Sequence, residues 1–326
     1  MKQGNETKGI ALFFILFAVL MIVIMGAVKL IELLPGENNE VSIIRHNLEP
    51  ANAAFIACAL SLCITLLVCK IFRPILLVII FLVVQAVCSL PMGVISAMNP
   101  STGYSLISVT LIVSSILIIY LLHLLKFYRI KHITDLKASK KTVAMGILAG
   151  VVTIFAADMI YELVTLDDNM ENQFLGMSKN VVGVVALTIV GPVCEEMVFR
   201  GAMLHSMLKR GMAPWSAILT SSMIFGLIHA NPAQIPYAFL LGLVLTYLAY
   251  KTRSIIPSVI LHVINNSFAV VMRIVYGQNE SVVLKDVFGD MFYYVLTLFI
   301  VVAIGLLYVF RVMANNDMAK TGKMEK

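Results

Sequence analysis

The sequence predicts an all-α, polytopic transmembrane helical bundle. Three observations carry that expectation. Of the 326 residues, 60% are apolar and only 13% are charged, against about 25% charged in a soluble domain. The mean hydropathy is +0.95, and a soluble globule of this size could not bury so much apolar surface, so lipid must be part of the solvent. The apolar residues also fall into runs long enough to cross ~30 Å of hydrocarbon, which takes ~20 helical residues. The same composition excludes disorder, a collagen-like fibre and a coiled coil.

About ten spans are expected, near residues 10–34, 51–69, 74–97, 104–125, 142–163, 180–208, 214–231, 235–250, 255–273 and 290–313, the seventh and eighth being short. Charge supports the count. With the N-terminus inside and the chain alternating, inner segments hold eighteen of the 24 lysines and arginines, outer segments hold five, and Arg200 stays within a span. The outer loops are acidic instead, with Glu37, Glu40, Glu49, Asp167, Asp168, Glu171, Glu280 and Asp286. The positive-inside rule then places both termini in the cytoplasm. It also reads the net charge of +6 as a topology signal, with no nucleic-acid partner implied. Cys58, Cys63, Cys69, Cys88 and Cys194 lie in or at the ends of apolar runs without a CxxC pair, as buried thiols do.

Organisation follows from where polar residues enter the spans. Residues 1–125 carry almost no ionisable group at membrane depth and read as accessory, lipid-facing helices. KFYRIKHITDLKASKK, residues 126–141, reads as a basic cytoplasmic loop anchored on anionic lipid. Residues 142–273 form the functional helical core. Residues 274–326 supply an outer loop, the last span and a polar cytoplasmic tail.

Ionisable side chains in a span cost ~2.5–3.5 kcal/mol each and mark function by default. The sixth span, VVGVVALTIVGPVCEEMVFRGAMLHSMLKR, carries Glu195, Glu196, Arg200 and His205, with Gly191-Pro192 expected to loosen the helix. Glu196 and Arg200 are four apart and share a face, as an ion pair requires. Glu195 lies ~100° away and is free to point elsewhere. In the seventh span Phe225 and His229 are four apart; in the ninth, His262 and Asn266 are four apart, with Asn265 beside them. Asp158 reads as an interfacial residue at the outer end of the fifth span. Ser221 and Ser222 have no base, and no GxSxG elbow is present, so a serine mechanism is not expected.

Depth tests whether these residues can meet. Glu195 and His229 are each fifteen residues from the turn at Arg210–Pro214, hence ~22 Å above it at ~1.5 Å per residue. His262 is only eight residues past Ser254, or ~12 Å by helix rise. An extended Ser254–Pro257 segment is expected to make up the difference.

GPVCEEMVFRG, FGLIH and HVINN, in that order and on three helices, resemble the EExxxR, FxxxH and HxxxN motifs of the CPBP family of intramembrane endopeptidases, also called the CAAX protease and bacteriocin-processing, or Abi, family. The resemblance covers roughly residues 142–272. It implies a membrane-embedded helical peptide hydrolase. Carried onto this chain, it implies Glu195 as general base, His229 positioning the water, and His262 with Asn266 stabilising the tetrahedral intermediate. Glu196 and Arg200 would hold Glu195 in place. A carboxylate in an apolar site suits a base working near neutral pH. No metal is assigned; Glu195, His229 and His262 are the zinc ligands should a metal be present, although the zincin HExxH pattern is absent.

The expected function is therefore hydrolysis of a peptide bond in a membrane-associated peptide or protein, of CAAX type or of bacteriocin or signal-peptide type, by a glutamate-activated water. The expected partners are a peptide or lipid-modified protein substrate and the bilayer. The expected location is a bacterial cell membrane. The alternatives are a catalytically inactive immunity or scaffold protein of the same fold, and a proton-coupled transporter relaying through Glu195, Glu196 and Asp158.

Overall fold

The computed structural model describes residues 72–98, 100–163, 168, 170–276 and 284–320. The expected first and second spans lie outside these residues. Within them the secondary structure is helical, with no strand. The helices are α1 (Phe72–Met98), α2 (Pro100–Leu124), α3 (Ile130–Thr134) and α4 (Lys140–Tyr161). Then come α5 (Glu171–Ser178), α6 (Val181–Lys209), α7 (Pro214–Leu227), α8 (Gln234–Thr252) and α9 (Ile256–Tyr276). A short α10 (Leu284–Phe288) leads through one 3-10 turn into α11 (Phe292–Lys320). Each of the eight expected spans that fall on described residues coincides with a helix. Among the described residues, six helical stretches are long and apolar enough to cross a membrane: α2, α4, α6, α8, α9 and the stretch ending in α11. The run expected at 214–231 is a helix of only 14 residues, whereas the one expected to be short at 235–250 extends to 19.

Local chemistry sets the boundaries. Ser139 caps α4 by accepting from the Thr142 backbone N–H. The Asn180 side chain accepts from Gly183 N–H at 2.7 Å and opens α6. Pro214 begins α7, where its missing N–H costs nothing. Arg253, in the left-handed region at φ 55, ends α8.

The long α6 is not a regular α-helix. Ala186–Val190 and Met197–Leu204 are π-helical, and Gly191–Glu196 between them is α-helical. Gly191 N–H donates five residues back, to Ala186 O. Pro192 offers no N–H to a regular i−4 bond, so the expected loosening at Gly191-Pro192 takes the form of a wide turn rather than a kink.

Packing places α6 at the centre. One side is covered by α1 and α2, the other by α7, α8 and α9, and α4 with α11 backs onto α8. The Phe81 ring meets the edge of Phe199 with centroids 6.0 Å apart, and Cys194 Sγ lies 3.6 Å from Ser115 O. α1 and α2 thus wall the central helix, a larger role than the lipid-facing accessory expected of residues 1–125.

The segment 126–141 also differs from expectation. It contains α3, and Phe127, Tyr128 and Ile133 are buried in the main core cluster. Ile133 O accepts from Ile255 N–H at 2.8 Å, Ser254 Oγ donates to Thr134 O at 3.1 Å, and Lys137 N–H donates to Thr252 O at 3.3 Å. The segment is a shim beneath the α8–α9 turn, because its apolar residues at 127, 128 and 133 have a core to bury against.

Candidate active site

The shim resolves the depth problem differently from the sequence reading. α9 begins at Ile256 with Pro257 already helical, so Ser254–Pro257 is not the extended lift expected. Instead the α8–α9 turn sits higher than the α6–α7 turn. Ile133 gauges the level: its Cδ1 would lie 3.1 Å from a Cβ on Gly201 of α6, and its carbonyl holds Ile255 of α9. Gly201 is six residues below Glu195, and Ile255 is seven below His262, or ~9–10 Å in each case. The acid and the imidazole therefore reach one level.

They do meet. Arg200 Nη1 donates to Glu196 Oε1 at 2.5 Å, and both side chains are fully buried. Arg200 Nε donates to Thr246 Oγ1 at 3.2 Å and Nη2 donates to Gly242 O at 3.3 Å. The guanidinium carbon stands 4.4 Å over the Phe225 ring. A cation is thus held by a carboxylate, a hydroxyl, a carbonyl and an aromatic face, which together replace its water shell. Ser222 Oγ lies 3.3 Å from the Thr246 hydroxyl. Gly242 permits the close α7–α8 approach: a Cβ there would lie 3.1 Å from Phe225 Cδ1 and 3.2 Å from Ser222 Cα.

Glu196 Oε1 accepts a second bond, from His262 Nδ1 at 2.9 Å. With Nδ1–H committed to a carboxylate, the neutral ring presents Nε2 as an acceptor. That Nε2 stands 3.7 Å from Glu195 Oε2, and Glu195 is 23% exposed where Glu196 is not exposed at all. A gap of 3.7 Å is too long for a direct hydrogen bond and suits a bridging water. The order along the chain of contacts is Arg200, Glu196, His262, Glu195. His262 stands between the two carboxylates in this order.

His229 is partly exposed, and its Nδ1–H donates to Phe225 O at 2.7 Å, leaving Nε2 bare as in His262. The two imidazoles share one ring: Phe225 meets the edge of His229 at 5.0 Å and of His262 at 5.8 Å between centroids. Asn266, one turn beyond His262, donates through Nδ2 to Leu187 O in the first π turn at 3.0 Å. Its Oδ1 accepts from Asn265 Nδ2 at 3.1 Å, and Asn265 Oδ1 accepts from Tyr237 O–H at 2.8 Å. Among the described residues no three His, Cys, Asp or Glu side chains gather as a metal site.

The sequence did not point to Thr246 or Tyr237, and Ser222 was weighed there only as a nucleophile. Gly242 and Thr246 are four apart on α8, which was the available signal. Ser221 and Ser222 serve packing, donating to Phe199 O at 3.2 Å and Ile218 O at 2.8 Å. On the opposite face Asp168 Oδ1 accepts from Asn231 Nδ2 at 2.7 Å, two residues beyond His229, and ties down the end of α7.

The architecture defines a multi-pass membrane protein with an acid–histidine–arginine cluster inside its bundle. Residues 177–268, which build that cluster, match the family model "Type II CAAX prenyl endopeptidase Rce1-like". Two curated bacterial relatives agree. "Putative membrane peptidase YdiL" of Bacillus subtilis (strain 168) is 25% identical over 113 residues, covering 33% of this chain and 46% of that protein. "Membrane-embedded CAAX protease MroQ" of Staphylococcus aureus (strain USA300) is 26% identical over 227 residues, covering 63% of this chain and 90% of that protein. The chain thus spans about half the length of the first and most of the second. No solved structure matches it significantly.

Proposed function

We propose that this chain is an intramembrane endopeptidase that hydrolyses a peptide bond with a water activated by Glu195. The observation that carries the reading is the 3.7 Å gap between Glu195 Oε2 and His262 Nε2, with His262 pinned from behind by Glu196.

A water in that gap donates one proton to Glu195 and is oriented by the Nε2 lone pair of His262. Its oxygen adds to the substrate carbonyl carbon while Glu195 takes the proton, and the carbonyl π electrons move onto oxygen. His229 Nε2, across the Phe225 ring, positions the water or the intermediate. His262 stabilises the intermediate through its Nε2 lone pair, which holds the second water proton on the new hydroxyl while the former carbonyl oxygen becomes the oxyanion. The second N–H of Asn266 is a donor to that oxygen, its first being committed to Leu187 O. Collapse of the intermediate breaks the C–N bond, and Glu195 returns its proton to the departing amine. The products are a carboxylate and an ammonium group, the second water proton passing from the new carboxylic acid to the amine, with one water consumed.

The substrate class is a membrane-associated peptide or protein, either CAAX-type or of bacteriocin or signal-peptide type, and the setting is a bacterial cell membrane. The organisms of the two relatives support that setting. The test is cleavage of a labelled membrane-proximal peptide by the purified protein. Cleavage is expected from the wild type and not from Glu195→Ala. Undiminished cleavage by Glu195→Ala would remove Glu195 as the base, and absence of cleavage of any membrane-peptide panel would favour the inactive scaffold.

A further inference from the structure

A cavity of about 1080 Å³ lies away from the acid–histidine cluster, between residues 123–133 and the last turns of α6. Its volume is at the upper end of small-molecule sites. Lys126, Arg129, Lys131, Lys209 and Arg210 line it, and no Asp or Glu does. His123 and His205 add two imidazoles. The nearby Asp135 carboxylate is engaged by Lys137.

The plain explanation for cations here is neutralisation of helix C-termini, since α2 and α6 both end at the cavity. Each terminus carries roughly half a negative charge, so the two together account for about one of the five cations. Lys126, Arg129, Lys131 and Lys209 are gathered around a concave space rather than spread on a convex face. Lys126 adds a second argument. It has φ 56, in the left-handed region that favours glycine or asparagine, yet the chain places a cation there.

The floor is fixed and neutral. Phe127, Tyr128, Ile133 and Ser206 are buried. The Tyr128 hydroxyl donates to Ile119 O at 3.0 Å, and burial pushes its phenol up to about 12, so the floor adds no negative charge near neutral pH. Leu124, Leu125 and Ile130, each about half exposed, form an apolar shelf at the rim, where the spanning helices end. A polyanion whose remainder is hydrocarbon matches both parts.

We propose that this cavity binds the phosphate headgroup of an anionic phospholipid, with its acyl chains running over the Leu124–Leu125 shelf. The shared chemistry is a phosphate in a cage of lysines and arginines. Native mass spectrometry of the purified full chain tests it, with phosphatidylglycerol against phosphatidylcholine in mixed micelles and pyrophosphate as a soluble competitor. Phosphatidylglycerol should be retained over phosphatidylcholine. Lys126→Gln with Lys209→Gln should weaken its retention about fivefold per cation, near 25-fold for the pair. Lys126→Arg with Lys209→Arg should keep it, and so should Lys140→Gln with Lys141→Gln, which lie on the same face outside the cavity. Pyrophosphate bound through the same two lysines without lipid retention would keep the phosphate site and assign it to a soluble ligand. Three outcomes overturn the proposal: equal retention of the two lipids, equal loss in the Lys140/Lys141 control, or preference for a phosphate-free polyglutamate peptide. Should the glutamine pair fail to fold, the wild-type comparison of the two lipids with and without added salt decides alone.

Discussion

The two adjacent glutamates of α6 divide the polar cluster into a locked half and an open half. Glu196 is fully buried, and one of its oxygens receives both Arg200 and His262. Glu195, one residue earlier, is 23% exposed and faces His262 across 3.7 Å. Locking one carboxylate holds the imidazole that faces the other. A helix can do this only with neighbours, because residues one apart point ~100° away from each other. The locked half should therefore govern stability and the open half turnover, and substitutions can break or sharpen that division.

The largest effect is expected at Arg200. Arg200→Met leaves the Glu196 carboxylate buried without its cation, which costs about 3–5 kcal/mol and should appear as a large loss of thermal stability in detergent. Adding Glu196→Gln to Arg200→Met should recover most of that stability but not activity, because His262 loses its charged anchor. Recovery of both would dissolve the distinction between the halves.

Glu195→Gln should behave in the opposite way. Loss of a general base costs about 10²–10⁴ in kcat, while the unfolding temperature should stay within a degree or so of wild type, since no buried partner is stranded. Gly242→Ala probes the frame that holds Arg200. Its new Cβ would meet Phe225 and the Ser222 backbone at 3.1–3.2 Å, prising α7 from α8 at about 1–3 kcal/mol. Thermal unfolding measures that loss, and a fall in kcat without a change in KM would show that the displaced ring matters to the imidazoles. The smallest effect is expected at Tyr237→Phe, which removes one hydrogen bond to Asn265, about 1 kcal/mol. Its kcat should fall less than tenfold, because Asn266 keeps its bond to Leu187 O.

Much of this cluster was legible as spacing. Glu196 and Arg200 four apart required an ion pair, and burial in an apolar helix made it obligatory. His262 and Asn266 four apart required one face. What spacing could not carry was level. The height of His262 depends on the α8–α9 turn, and that turn rests on Ile133, more than a hundred residues earlier, in a segment whose lysines concealed its buried apolar side chains. The sequence also could not reveal what Asn266 binds. Leu187 O is available to it within a π turn, and hydrophobic periodicity has no signature for one extra residue. Thr246 was missed because small hydroxyl residues in apolar helices usually bond their own carbonyls, as Thr153 does to Ala149 O at 2.7 Å.

The wide turn at Ala186–Val190 has a consequence for how such a rod can change length. A π turn is the mark of a single surplus residue absorbed without breaking the helix. Rewinding that turn to regular α-helix with no residue removed would swing everything after it by about a quarter of a revolution. Both carboxylates would then leave their partners together. The bundle tolerates that irregularity because it aims them, and a tidier helix of the same composition would point its acids at lipid.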